Sequence, residues 1–298
     1  MQSVVPTNIP FTSDILSKCI QKLESRCRYM NVSVIGHSLQ RRPIYSLSLG
    51  VGPISYLYNA AHHANEWITS VLLTRFAEDC VRQINQDAHV CNADTKRLTP
   101  KAKYPWYERI TLHMVLMVNP DGVDMVTKGV VSDIWKANAR GVDLNSNYPA
   151  GWEQARTHKY SRGYTSFGPR DFVGPFPLSE PESQAMVTYT KQIDPVVTLS
   201  LHTQGEEIYW RYADYMPHGA RELAVCLSNA SGYLLEEVPS ESSHGGYRDW
   251  FIQEYNRPGF TIECGLGKNP LPISEFDNIY LKIAPLLMEA LRYTVVSF

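Results

Sequence analysis

Alternating helical and strand patterns along most of the chain predict a three-layer α/β/α fold built on a mixed, largely parallel sheet. Two observations support that class. The runs Ile54–Ala60, Ile110–Val118, Val196–Leu201 and Gly259–Ile262 are apolar and near-continuous, as strands buried on both faces must be. The segments between them carry the spacing of helices that cover such a sheet. In folds of this class ligands sit beyond the carboxyl ends of the strands, so chemistry is expected there. With 298 residues, 44% of them apolar, the chain can bury a large core, and its aromatic residues are spread evenly, so residues 1–298 read as one domain.

Taken in order, Ser13–Arg28 spaces Ile15, Leu16, Ile20 and Leu23 helically behind a Thr12/Ser13 cap. Val32–Ile35 and Ile44–Leu49 are β-rich around the polar turn Ser38–Arg42, and Ile54–Ala60 is a third strand. Glu66–Ile84 is helical, Ile110–Val118 is a buried strand, and Asn119-Pro-Asp-Gly122 has turn chemistry. Glu180–Ile193 reads as a helix opened by a capping box in Ser179-Glu-Pro-Glu182. Val196–Leu201 is a strand, Gly219–Ser231 and Tyr247–Tyr255 are helices, Gly259–Ile262 is a strand and Ser274–Tyr293 the closing helix. Ser132–Pro177, rich in Gly, Pro, Tyr, Arg and Asn, is too long for an idle connection and is expected to build a cleft.

The 28 basic and 30 acidic residues leave a net charge of -2, so no global positive field gathers nucleic acid or an anionic membrane, and neither is expected as a partner. No apolar run approaches the roughly 20 residues that span a bilayer. Met1–Pro10 lacks a basic segment followed by an apolar stretch, so the chain as written carries no secretory signal and reads as cytoplasmic. A wall- or spore-associated location stays open if a targeting module precedes Met1. The scattered Cys19, Cys27, Cys80, Cys91, Cys226 and Cys264 form no C-x-x-C pair and read as reduced thiols. No G-x-S-x-G elbow, P-loop or G-x-G-x-x-G fingerprint occurs, which disfavours a serine hydrolase on an α/β sheet and the nucleotide-binding folds.

Three strand ends carry the candidate chemistry. Ala60-Ala-His-His-Ala-Asn-Glu-Trp67 follows one strand, and His63 and Glu66 stand three apart, close enough in a turn to bind one zinc ion; His62 is the competing histidine. Val197-Thr-Leu-Ser-Leu-His202-Thr-Gln-Gly205 delivers a second histidine into a glycine-containing loop. Gly259-Phe-Thr-Ile-Glu263 delivers a carboxylate that a buried strand rarely leaves unpaired. Together they suit a hydrolytic zinc site: His63, Glu66 and His202 on one ion, an open position, and Glu263 free to move a proton from water to a leaving amine. In Trp135-Lys-Ala-Asn-Ala-Arg140-Gly-Val-Asp-Leu-Asn-Ser-Asn-Tyr148, Arg140 offers the fixed charge and planar donors that suit an oxyanion. Each residue alone has a plainer reading, as a helix start, a satisfied core histidine or a surface ion pair.

The set His63-Ala-Asn-Glu66-Trp, Asp143-Leu-Asn145, Ser179-Glu-Pro-Glu182, His202, Gly245-Gly-Tyr-Arg-Asp-Trp250 and Thr261-Ile-Glu263 resembles the zinc carboxypeptidase superfamily, in order and over nearly the whole chain. Trp135–Asn145, Gly174–Glu182 and Leu201–Trp210 are similar to the bacterial γ-D-glutamyl-L-diamino acid endopeptidase I branch. The resemblance implies a mixed eight-stranded sheet, one zinc ion on His63, Glu66 and His202, Glu263 as base and acid, and Arg140 at the oxyanion. It also implies cleavage between γ-D-glutamate and meso-diaminopimelate in peptidoglycan peptides. An ordinary carboxypeptidase and a wall-binding module without catalysis are the competing readings.

This chain departs from the digestive carboxypeptidases at two places. Their carboxylate-gripping arginine is replaced in the pair Asn145-Ser146, and their mobile tyrosine falls at Glu241, with no tyrosine between Val238 and Gly246. Conversely, their specificity-pocket position just before Asp-Trp is Arg248, which would draw a substrate carboxylate, bidentately if geometry permits. Arg248, Asn145, Ser146, Gly205 and Glu207 are therefore the candidate substrate contacts, with Glu206 and Glu207 available to an ammonium group. His244 lines the cleft or caps the following helix, and Cys264 is a packing residue.

Overall fold

The computed structural model describes residues 3–93, 105–238 and 243–293. Its elements run α1 (Ser13–Glu24), β1 (Met30–His37), β2 (Pro43–Leu49), β3 (Ile54–Ala60), α2 (Ile68–Ala93), α3 (Trp106–Arg109), β4 (Ile110–Val115), α4 (Pro120–Thr127) and α5 (Trp152–Ser161). Then follow α6 (Pro181–Ile193), β5 (Val197–His202), β6 (Glu207–Tyr209), α7 (Ala220–Ser231), β7 (Leu234–Leu235), α8 (Tyr247–Tyr255), β8 (Gly259–Glu263) and α9 (Phe276–Arg292).

The strands form one eight-stranded sheet in the order β1-β2-β4-β3-β5-β8-β6-β7. Its centre, β4-β3-β5-β8, is parallel, while β1-β2, β2-β4 and β6-β8 are antiparallel. Side-chain alternation sorts the central strands between two cores. Tyr58, Ala60, Leu199, Leu201, Phe260 and Ile262 pack with α1, α2, α7 and α9 on one face. Leu57 and Val115 pack with α6, α8 and the Leu144–Tyr148 segment on the other. From β3 the chain crosses to β4 on one side, and from β5 it crosses to β8 on the other, so the β3/β5 boundary is a topological switch point.

Several sequence expectations change in detail. Helix α1 stops at Glu24, with Thr12 Oγ1 accepting from Ile15 N as its cap. Glu66 does not begin α2: Ala64–Glu66 forms a separate 3-10 turn ahead of it. Asn119-Pro-Asp-Gly122 is not a free turn but the start of α4, with Asn119 Oδ1 capping Gly122 N and Pro120 in the first turn. The expected capping box before α6 does not form: Glu180 rather than Ser179 is the N-cap, the Ser179 hydroxyl donates to Glu180 Oε1, and the Glu180 and Glu182 carboxylates are used elsewhere. Glu180 accepts from Asn138 and Arg140, and Glu182 accepts from Leu39 N and Asn138. The long Ser132–Pro177 connection contains α5, and β6 and β7 were not anticipated. Cys19, Cys27, Cys80, Cys226 and Cys264 are free thiols, whereas the side chain of Cys91 lies outside the described residues. Among the described residues no helix is long and apolar enough to cross a membrane.

Candidate active site

His63 leaves the end of β3, His202 is the last residue of β5 and Glu263 the last of β8, so the switch point gathers them. Parallel pairing places His202 directly beside Glu263. His63 Nδ1 lies 2.8 Å from Glu66 Oε1, His202 Nδ1 lies 3.0 Å from Glu66 Oε2, and the two Nδ1 atoms are 3.2 Å apart. All three residues are buried and together form a group able to hold a metal ion. Zinc bonds of about 2 Å at tetrahedral angles would hold ligand atoms roughly 3.3 Å apart, so this donor set fits zinc with little movement.

Outer contacts fix two of the three candidate ligands, His63 and Glu66. His63 Nε2 donates to Asp143 Oδ1 at 3.1 Å, leaving Nδ1 for the metal. Thr203 N donates to Glu66 Oε2 at 3.1 Å. Burial opposes a charged imidazole at His63, but the carboxylates of Glu66 and Asp143 outweigh it and raise its pKa to about 9. Burial likewise opposes charge on Glu66, yet His63 and Lys136 hold it well below the usual carboxylate range. Burial first, then the charge of Glu66, push Glu263 up to about 8.

These residues line a cavity of about 250 Å³ with Lys136, Asn145, Tyr209, Arg248 and Thr261 among its walls. Arg140 is not brought there. Buried Glu180 needs a charged partner, and Arg140 supplies it through Nε and an Nη at 3.1 and 3.0 Å. The cation nearest the metal-binding group among the cavity's lining residues is Lys136, whose Nζ is 3.5 Å from Glu66 Oε1. Its carbonyl accepts from Ala64 N at 3.0 Å, which ties it to the metal-binding turn. Its only sequence signal was a cation beside Trp135 in a segment already singled out.

Arg248 is buried and donates through Nε and one Nη to Asp249 Oδ1, while its other Nη has no partner. One free donor group is thus left for a substrate carboxylate, so the geometry does not offer the bidentate grip that the sequence left conditional. Its guanidinium carbon sits 5.9 Å from the Tyr209 ring centre, and the Tyr209 hydroxyl donates to Glu207 Oε2 at 2.6 Å. Tyr209 was missed as a cavity residue. Glu207, across the strand pair from Glu263, therefore reaches the site through Tyr209 and is not itself a wall residue. Glu206 turns away to Lys282.

Asn145 lines the cavity and its Oδ1 accepts from Tyr247 N, but Ser146 and Gly205 do not line it. Ser146 packs instead against Gly245, whose φ of +79° and 2.9 Å gap from a Cβ to Ser146 O admit only glycine. His62 is not part of the convergent group, and its Nε2 pairs with the Tyr148 hydroxyl at 2.9 Å. His244 pairs with Tyr212 outside this cavity. Glu241 lies outside the described residues.

A sheet with this switch point, carrying a His-x-x-Glu turn, a strand-end His and a strand-end Glu, defines a metallopeptidase site. The sequence profile of the zinc carboxypeptidase family matches residues 16–282, and the chain belongs to that family, whose metal is zinc. The γ-D-glutamyl-L-diamino acid endopeptidase 1 of Lysinibacillus sphaericus is 37% identical over 279 residues, 88% of this chain and 67% of that protein. Bovine thrombin-activatable fibrinolysis inhibitor, solved with tick carboxypeptidase inhibitor, shares the fold with a TM-score of 0.75 at 18% identity over 96% of this chain and 97% of that one. The murein-tripeptide amidase MpaA of Escherichia coli O157 gives a TM-score of 0.56 at 23% identity over 90% of this chain and 94% of that one.

Proposed function

We propose that this metallopeptidase hydrolyses the γ-D-glutamyl bond to diaminopimelate in peptidoglycan-derived peptides. The observation that carries the reading is Arg248, a buried cation in the cavity wall with one unpartnered donor group, in a family whose chemistry the neighbouring His63, Glu66, His202 and Glu263 would perform. A relative named for this bond supports it.

Zinc, held by His63, Glu66 and His202, would supply Lewis acidity towards the scissile carbonyl and make water a nucleophile near neutral pH. Glu263 takes the proton from the attacking water on its carboxylate and passes it to the departing nitrogen. Lys136 places positive charge where the carbonyl oxygen becomes negative. Asn145 borders the substrate, and Arg248 meets the carboxylate of the diaminopimelate side chain. Lysine lacks that group, so the pocket favours diaminopimelate.

Cleavage of L-Ala-γ-D-Glu-diaminopimelate, the corresponding lysine peptide and ordinary C-terminal residues separates the readings. Arg248→Leu should lower kcat/KM about 10- to 100-fold on the diaminopimelate peptide, the worth of one charge-assisted hydrogen bond, and little on the lysine peptide. Equal loss on both removes the role of Arg248. Release of ordinary C-terminal residues without γ-D-glutamyl cleavage removes the substrate assignment.

A further inference from the structure

Each of the two ligand histidines turns Nδ1 towards Glu66, so each carries its proton on Nε2 when a metal is bound. For His63 that proton goes to Asp143. For His202 the same nitrogen is buried without a partner. The sheet face around it is polar in a way that packing does not require. Asn59 on β3 and Ser200 on β5 are register partners on the face that carries His202, where a central parallel strand ordinarily places Val, Ile or Leu. Asn59 is 0% exposed with neither amide atom partnered, and the Ser200 hydroxyl is buried and unpartnered too.

His62 completes the group. Its ring stacks on that of His202, with centroids 5.8 Å apart and planes at 23°. Its Nε2 is engaged by Tyr148, and its Nδ1 is buried and free. Buried polar atoms left without partners are strongly disfavoured, and a polar interior with several convergent donors and acceptors is where ordered water resides.

We propose that Asn59, His62 and Ser200 are positioning residues that, with ordered water, form a hydrogen-bonded shell behind His202, holding its proton on Nε2 and so setting how tightly the metal is bound. The inference rests on the metal-site part of the reading above and is independent of the substrate. Outer partners of this kind change metal affinity by about 10- to 100-fold when removed. A purely structural role would instead lower the stability of the metal-free fold.

Zinc affinity by chelator competition, together with the melting temperature of the metal-free protein, distinguishes the two. Asn59→Leu should bind zinc about 10- to 100-fold more weakly while its metal-free form melts at or above the wild-type temperature. Asn59→Ser, which keeps a hydrogen-bonding group, should retain most of the affinity. Ser200→Ala should weaken zinc at unchanged metal-free melting and decides the matter if the leucine variant folds poorly; His62→Phe, which preserves the stacked ring but leaves the Tyr148 hydroxyl unpaired, should weaken zinc while also lowering the metal-free melting temperature. Wild-type zinc affinity in all of these variants overturns the proposal. A wild-type protein that binds no zinc overturns the metal site and this inference with it, whatever peptides are cleaved.

Discussion

Lys136 and Arg140 lie four residues apart in one segment, yet only one reaches the cavity. The difference is made by partners: Glu180 claims the guanidinium, while a backbone bond from Ala64 holds Lys136 against the metal turn. Lys136→Met should therefore lower kcat by about 10²- to 10³-fold, as removal of one donor to a developing oxyanion does, with zinc affinity retained; Lys136→Arg should recover part of it. An unchanged kcat in steady-state assays would remove Lys136 from the reaction. The residues His63, Glu66, His202 and Glu263 were legible because each follows or ends an apolar run, where a polar side chain needs a reason. Lys136 was not, since the docking bond that selects it joins segments over seventy residues apart and leaves no local pattern.

At the scale of elements, the start of α6 is an internal junction. Glu182 is buried among Leu39 N, Asn138 and the neighbouring Glu180 carboxylate. Burial, above all, raises its pKa from 4.5 to about 7. The folded protein thus holds this proton more tightly than the unfolded chain, so the stabilising contribution is complete below pH 4.5 and is lost as pH rises through 7. Glu182→Gln should flatten that part of the stability–pH curve, by up to about 3 kcal/mol at pH 8, in urea titrations across the window. A variant with the wild-type slope would show that Glu182 does not titrate there. The Ser-x-x-Glu pattern suggested a capping box because the local spacing is right; tertiary demand for both carboxylates overrode it. α5 was hidden for another reason: it buries little beyond Trp152, Ala155 and Lys159, so no apolar stripe marks it. β6 and β7, of three and two residues, are too short for alternation to register.

For the molecule as a whole, the metal-binding group joins two distant segments of the chain, the His63–Glu66 turn and the end of β5 at His202, so zinc binding is folding energy. Zinc at about 100 times its dissociation constant should stabilise the stripped protein by about 2.7 kcal/mol, or about 5 °C in Tm, readable by calorimetry. Glu66→Gln should abolish the shift; a shift that survives would place the ion elsewhere. The parallel centre of the sheet was legible from its near-continuous apolar runs, and the strand count came only with the family likeness. What no pattern conveyed was the order in which the strands sit.

That order bears on how the protein is made. β8 follows every other described strand in the chain, yet it occupies an interior slot between β5 and β6. In a growing chain His63, Glu66 and His202 are made before Glu263, the residue proposed to carry the proton, so the ligand set precedes it in synthesis. On the proposed mechanism, hydrolytic competence therefore arrives only with the closing of the sheet around β8.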